Sequence, residues 1–100
     1  MPERVAEYRL APEAKRDLEA IWLYSREEWG LKQANRYTDE LTDAFAQLAV
    51  SPQLGTACDH IRKGYSRSRV GRHLVYCRIT DYGIAVIRIL HDRMLPARHL

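Results

Sequence analysis

The chain has 100 residues and a formal net charge of +3, with 46% hydrophobic and 29% charged residues. This length suits a single domain over residues 1–100, in which roughly 60 to 65% of the surface of the unfolded chain can be buried. No apolar run approaches the roughly 18 residues of a membrane span, and the N-terminus lacks the apolar stretch of a signal peptide, so a cytoplasmic protein is expected.

The first predicted element is a strand from Val5 to Leu10. Ala6, Tyr8 and Leu10 alternate with Val5, Glu7 and Arg9, which is the period of a strand with one buried face. Pro12 follows closely and suits the first turn of a helix, because proline has no amide hydrogen to leave unpaired there.

Two helices are predicted next, joined by a very short connection. The first runs from about Pro12 to Trp29, with both of its tryptophans assigned to the core, and its stripe at helical spacing comprises Ala14, Leu18, Ile21, Trp22, Ser25 and Trp29. Gly30 is placed to end it in a left-handed conformation. The second ends near Ser51-Pro52, and its stripe comprises Ala34, Tyr37, Leu41, Phe45 and Leu48. Pairing alone cannot bury both stripes, so the antiparallel helices are predicted to lie across a sheet.

Positive charge is concentrated between His60 and Thr80. This segment carries six basic and no acidic side chains, whereas residues 1–59 carry a net charge of −4 and residues 81–100 a net charge of +1. The part from His60 to Arg72 predicts an irregular strand. Its charge suits an acidic partner, either nucleic acid or an acidic peptide, and a solvated sheet face is the simpler alternative.

A β-hairpin is predicted from Arg72 to His91. Both arms are rich in β-branched and aromatic residues, and Asp81-Tyr82-Gly83 supplies the turn. The second arm, Ile84 to His91, is apolar except at Arg88 and His91, which predicts an interior strand. The predicted order is β-α-α-β-β-β, an α+β domain with a helical hairpin on a mainly antiparallel sheet.

Cysteine and histidine usage argues against metal or cofactor chemistry. Cys58 and Cys77 do not form a Cys-x-x-Cys motif, and both are interpreted as buried, reduced thiols. The histidines lack the spacing of metal ligands, so no metal or cofactor is expected.

An ordered set of residues along nearly the whole chain resembles the ParE toxins of the RelE/ParE superfamily. The set comprises Glu28-Trp29-Gly30, Gln33, Ala34, Tyr37, Leu41, Pro52, Gly55, His73 to Arg78, and Ile89 to Met94. The resemblance implies a toxin of a type II toxin–antitoxin pair that inhibits DNA gyrase, has no enzymatic activity and forms a hetero-oligomer with a ParD-like antitoxin. The sequence departs from the family at Ala11, where a serine or threonine often caps the helix, and at Leu95-Pro96, where an acidic residue is common.

Residues that could contact a partner follow from the charge and from the resemblance. They are Arg62, Lys63, Arg67, Arg69, Arg72, Arg78, His91 and Arg93. Direct binding of nucleic acid is not expected, because the helices carry most of the acidic residues and no helix-turn-helix pattern is present.

The alternative function is that of a RelE-like endonuclease, which cleaves messenger RNA on the ribosome. In that case Arg62 and Arg78 would stabilise charge on the phosphate, and His91 would transfer protons. The chain lacks the tyrosine that RelE-like members carry near the C-terminus, because no tyrosine follows Tyr82. His91 also has a plain structural interpretation, in which it packs at the end of its strand.

Overall fold

The computed structural model describes residues 6–100, so Val5 of the predicted first strand lies outside the described residues. The helices are α1 (Pro12–Trp29) and α2 (Leu31–Val50), and short 3-10 turns cover Pro52–Leu54 and Pro96–Arg98. The strands are β1 (Glu7–Leu10), β2 (Thr56–Ala57), β3 (Tyr65–Val70), β4 (His73–Ile79) and β5 (Gly83–His91). They form one sheet in the order β1-β5-β4-β3-β2, parallel only between β1 and β5. The predicted α+β fold with a helical hairpin on a mainly antiparallel sheet is confirmed.

The predicted hairpin is the centre of this sheet. β5 lies between β1 and β4, and none of its residues is fully exposed, as its apolar sequence indicated. At the turn, the Thr80 amide donates to the Gly83 carbonyl over 2.9 Å. Gly83 has a φ of 141°, and a Cβ there would lie 2.1 Å from the Glu7 carbonyl oxygen. Glycine therefore permits both the turn and the close approach of β1.

The two faces of the sheet are covered differently. The helices pack on one face, where Leu41 and Phe45 of α2 and Ala14 of α1 join Ile84 and Val86 of β5 in the main core. On the opposite face, called the outer face below, a smaller cluster of buried residues comprises Cys58, Tyr76 and Leu90. Both cysteines are free and buried, as predicted, and burial raises the pKa of each thiol.

The predicted extents of the helices hold, but the assignment of the two tryptophans to the core does not. Both helices have the predicted extents within three residues, and Gly30 joins them with a φ of 93°. The assignment of Trp29 to the core is wrong, because this residue is 65% exposed. Trp22 also lies outside the two core clusters: it is only partly buried, and its indole NH donates to Asn35 Oδ1 over 2.9 Å. Trp29 is the last residue of α1, and its ring packs edge-on against Tyr24.

The irregular segment before the hairpin was predicted less well. The strand begins at Tyr65 and not at His60, because residues 59–64 form a turn in which the Gly64 amide donates to the Asp59 carboxylate over 2.7 Å. The short strand β2 was not predicted. It has only two residues, Thr56 and Ala57, which are too few to show an alternating pattern.

An ion-pair network completes the edge of β5 where β1 ends. β1 pairs with β5 only as far as Leu10 and Val86, so the next residues of β5 have no strand partner on that side. Asp17 of α1 fills the gap by accepting the Ile89 amide over 2.9 Å and by pairing with the Arg88 guanidinium over 2.8 and 3.0 Å. These hydrogen bonds raise the pKa of Arg88, so the guanidinium stays charged.

Candidate partner-binding groove

A groove lies between the second half of α1 and the ends of β4 and β5. It has a volume of about 610 Å³, and its lining comprises Ala20, Ile21, Tyr24, Ser25, Trp29, Tyr37, Arg72, His73, His91 and Arg93. The lining is mainly apolar, and the charged residues in it, Arg72 and Arg93, are both positive. An apolar concavity with a few convergent polar groups is the usual form of a binding site, so we take this groove as the candidate site.

Tyr37 of α2 fixes one wall of the groove to the turn between β3 and β4. Its hydroxyl lies 3.0 Å from the Val70 carbonyl oxygen and 2.6 Å from His73 Nδ1, and it accepts the Arg72 amide over 3.2 Å. Burial raises the pKa of the phenol, so it stays protonated. A Cβ at Gly71 would lie 2.8 Å from the Tyr37 ring, and Gly71 has a φ of 56°, so the turn requires glycine.

Two histidines face each other across the ends of β4 and β5. His73 and His91 are direct strand partners, and their ring centroids are 5.4 Å apart with an interplanar angle of 85°. Burial, and to a lesser degree the neighbouring imidazole of His91, lowers the pKa of His73. Near neutral pH His73 is therefore uncharged.

His91 Nδ1 has two possible hydrogen-bond partners. It lies 3.1 Å from the Arg93 amide, which donates to it, and 3.1 Å from Asp92 Oδ1. In one neutral tautomer Nδ1 accepts the Arg93 amide, and in the other Nδ1 carries the proton and donates to the Asp92 carboxylate. Asp92 Oδ1 is buried, and apart from His91 Nδ1 no donor of the described residues satisfies it.

Asp92 itself is held by two arginines. Arg69 donates to Oδ2 over 3.1 Å, and the Arg72 guanidinium lies 3.6 Å from the same oxygen. The hydrogen bond from Arg69, reinforced by the nearby positive charge of Arg72, lowers the pKa of Asp92. The carboxylate therefore stays ionised beside His91 throughout the range in which imidazole titrates.

The structure distributes the predicted partner-contact residues over three places. Arg67, Arg69 and Arg78 share the outer face of the sheet with Tyr76 and Leu74, as the strand register shows. Arg62 and Lys63 lie in the exposed turn before β3, and Arg72, His91 and Arg93 line the groove. Apart from Arg69, Arg72 and His91, which contact Asp92, these residues have no carboxylate of residues 6–100 within ion-pairing distance.

The residues considered for catalysis are not brought together. The Arg62 guanidinium lies 5.9 Å from the centroid of the Tyr65 ring, and Tyr65 pairs with Arg78 at the far end of β4. His91 pairs with His73 at the other end of that strand, five residues away, which corresponds to roughly 16 Å. Arg62 and Arg78 therefore cannot act with His91 on one phosphate in this arrangement.

Several groove residues were missed from the sequence. Tyr37 was interpreted only as part of the buried stripe, and His73 was given no role. The register of the hairpin gave only a partial signal for His73. The pairing next to the turn, Ile79 with Ile84, would place His73 opposite Leu90, and an irregularity between Tyr76 and Cys77 shifts it by one residue to face His91.

Comparison with known proteins identifies the family. The family model for the ParE toxin of the type II toxin–antitoxin system parDE matches residues 8–96. The chain belongs to this family. Toxin ParE1 of Mycobacterium tuberculosis is 43% identical over 94 residues, which cover 93% of this chain and 96% of the relative. Toxin ParE1 of Caulobacter vibrioides is 39% identical over 93 residues, with the same shares of each chain.

Solved structures show the same fold for this ParE-family toxin. The structure titled "Chromosomal ParDE TA system from P. aeruginosa" matches with a TM-score of 0.75 and 15% identity over 89% of this chain and 98% of that chain. The toxin–antitoxin complex RelBE2 from Mycobacterium tuberculosis matches with a TM-score of 0.63 and 22% identity over 86% of this chain and 96% of that chain.

In the described residues, no helix is long and apolar enough to cross a membrane, and no group of three or more His, Cys, Asp or Glu side chains could hold a metal ion.

Proposed function

We propose that this ParE-family toxin acts in the cytoplasm by binding and inhibiting DNA gyrase, and that a ParD-like antitoxin neutralises it in a hetero-oligomer. The observation that carries the proposal is the family match over residues 8–96, supported by relatives named ParE that are 34 to 43% identical to this chain. The toxin then acts without covalent chemistry of its own.

The geometry of the basic residues supports binding over catalysis. A nuclease needs its cations and its proton-transferring group around one phosphate. Arg62 and Arg78 lie at one end of β4 and His91 lies at the other. The cations are instead spread over the outer face and the groove, as suits a broad acidic partner surface.

The experiment that tests the proposal compares two targets of the same purified toxin. Added to a gyrase reaction, the toxin is expected to abolish supercoiling, and added to a translating ribosome extract it is expected to leave the message intact. The variant His91→Gln should lose potency only modestly, because binding energy is spread over several anchors. Cleavage of the messenger RNA together with unchanged gyrase activity would contradict the proposal and favour the RelE-like endonuclease.

A second prediction concerns the antitoxin. Replacing Arg72 and Arg78 together with glutamate is expected to weaken antitoxin binding at least about fivefold and to flatten its dependence on salt, because two favourable charge contacts become repulsive. The double variant covers both surfaces, since Arg72 lines the groove and Arg78 lies on the outer face. Titration calorimetry at two salt concentrations measures the effect.

The matched control for this charge reversal is Arg36→Glu. Arg36 is an exposed arginine of α2 that does not line the groove. Its reversal should leave the dissociation constant almost unchanged. A dissociation constant that is also unchanged in the double variant would show that neither basic surface meets the antitoxin.

A further inference from the structure

The outer face of the sheet carries a concentration of positive charge around Tyr65. Arg78 is the direct strand partner of Tyr65, and the Arg62 guanidinium lies 5.9 Å from the centroid of the Tyr65 ring. Arg67, two residues further along β3, lies diagonally across from Arg78, with the two backbones roughly 7 to 8 Å apart. Lys63 lies next to Arg62 in the exposed turn. These four basic residues form what we call the basic patch.

The charges of the basic patch are not neutralised within residues 6–100. None of its four side chains has a carboxylate of these residues within ion-pairing distance. Asp59, the acidic residue of the same turn, accepts the Gly64 amide over 2.7 Å. The helices, which carry most of the acidic residues, pack on the opposite face of the sheet. The basic patch therefore presents a net positive charge to a partner.

The surface beside Arg67 has the chemistry of a phosphate site. A polar groove of about 330 Å³ there is lined by Leu54, Thr56, Arg67, Ser68, Arg69 and Leu74. Its two guanidinium groups and two hydroxyls can all donate hydrogen bonds to phosphate oxygens. The apolar cluster beneath offers no anchor to a protein partner, because Tyr76 and Leu90 are each only 1% exposed. A polar, strongly positive surface is typical of an interface with DNA.

The aromatic residues of the outer face favour a duplex over a single strand. Proteins that bind single-stranded nucleic acid stack its bases on exposed aromatic rings. Here Tyr76 is buried, and Tyr65 is only partly exposed, with the Arg62 guanidinium over its ring. The backbone of a duplex is bound by charge and hydrogen bonds without stacking. The basic patch therefore suits duplex DNA better than messenger RNA.

We propose that the basic patch binds the phosphate backbone of the duplex DNA that gyrase holds, so that the toxin binds gyrase more tightly when DNA is present. The inference rests on the proposed function and adds DNA to the target. The acidic residues that argued against nucleic-acid binding belong to the helices, on the other side of the sheet. Free DNA is not itself the partner, because non-specific phosphate contacts give dissociation constants of only about 10⁻⁴ to 10⁻⁶ M.

The size of the effect follows from the number of phosphate contacts. The test measures the dissociation constant of the full-length toxin for gyrase alone and for gyrase loaded with a linear duplex, and the ratio of the two is the DNA-dependent gain in affinity. Each phosphate contact contributes about −0.9 to the slope of log affinity against log salt concentration. Four contacts predict a slope of about −3.6 for the gain, which should fall about a hundredfold between about 50 and 200 mM salt.

The double variant Arg67→Gln with Arg78→Gln removes two of the four contacts. Its slope should be about −1.8, so that the gain falls only about tenfold over the same range of salt. Its affinity for gyrase without DNA should match that of the native toxin, which also shows that the variant is folded. The matched control is Arg16→Gln with Arg36→Gln, two exposed arginines of the helices, which should keep the native slope.

A second measurement locates the contact on the native toxin without gyrase. When the duplex is added at low salt, the backbone amide resonances of residues 62–69 and 74–78 should shift, and those of the helices should not. A polyglutamate peptide and a single-stranded RNA with the same number of charges should each bind more weakly than the duplex.

The outcomes separate the inference from the function on which it rests. A native toxin without a DNA-dependent gain, or a double variant with the native slope, would overturn the inference, while binding to gyrase alone kept the proposed function. Shifts confined to the helices would also overturn it. Tighter binding of polyglutamate would assign the basic patch to an acidic protein segment, and tighter binding of RNA would favour the endonuclease. Absence of any binding to gyrase, with or without DNA, would remove the proposed function and this inference together.

Discussion

Asp17→Asn is expected to lower the free energy of unfolding by about 3 to 5 kcal/mol, the usual effect of removing one partner of a buried ion pair. The side chains of Asp17 and Arg88 are only 15% and 16% exposed, so the guanidinium would lose its main counter-charge in a poorly solvated place. The same carboxylate accepts the Ile89 amide at the edge of β5. Urea unfolding of the purified variant measures the loss.

The control for this network is Glu13→Gln. Glu13 also contacts the Arg88 guanidinium, over 3.1 Å, but its side chain is 60% exposed. Exposed ion pairs contribute about 1 kcal/mol or less, so this variant should be nearly as stable as the native toxin. Equal losses in the two variants would show that Asp17 does not complete the sheet edge as described.

Phe45→Ala is expected to cost about 3 to 5 kcal/mol of folding stability by leaving a cavity in the main core. Phe45 is fully buried between the helices and the sheet, and its ring meets that of Tyr8 edge-on with centroids 5.4 Å apart. A loss of this size is a large part of the stability of a domain of 100 residues. Thermal unfolding followed by circular dichroism gives the shift in melting temperature.

The matched control is Val50→Ala on the same helix. Val50 is 72% exposed, so its truncation should change the free energy of unfolding by about 0.5 kcal/mol or less. A melting temperature that does not move in Phe45→Ala would contradict the packing of α2 on the sheet.

Most of the fold could be predicted because its signals are local. The apolar stripe from Ala34 to Leu48 has the period of a helix, and the alternation around Tyr8 has the period of a strand. The hairpin is indicated by two apolar segments on either side of a turn. The position of β1 beside β5 could not be predicted in the same way. This strand pairing is parallel and joins residues more than 70 positions apart in the sequence. Gly83 is needed there because a Cβ would collide with the backbone of Glu7, but this requirement is visible only in the folded chain.

The groove was predicted only in part, because it depends on contacts between distant elements. His91 and Arg93 were chosen from the resemblance and Arg72 from its charge, and all three line the groove. The roles of Tyr37 and Trp29 were not predicted. A tyrosine or tryptophan on an apolar helix stripe gives the same pattern whether it is buried or lies at the rim of a groove. For Tyr37 the difference depends on contacts with Val70, Arg72 and His73, which are distant in the sequence.

The measurement that tests the central claim most directly is a titration of gyrase supercoiling against the ratio of toxin to gyrase. A toxin that acts by binding should remove activity in proportion to its amount, up to saturation near equimolar toxin, and equimolar antitoxin should restore it. A catalyst would act far below equimolar amounts. Full supercoiling at a large excess of folded toxin, with message cut many times per toxin molecule in a ribosome extract, would contradict the account.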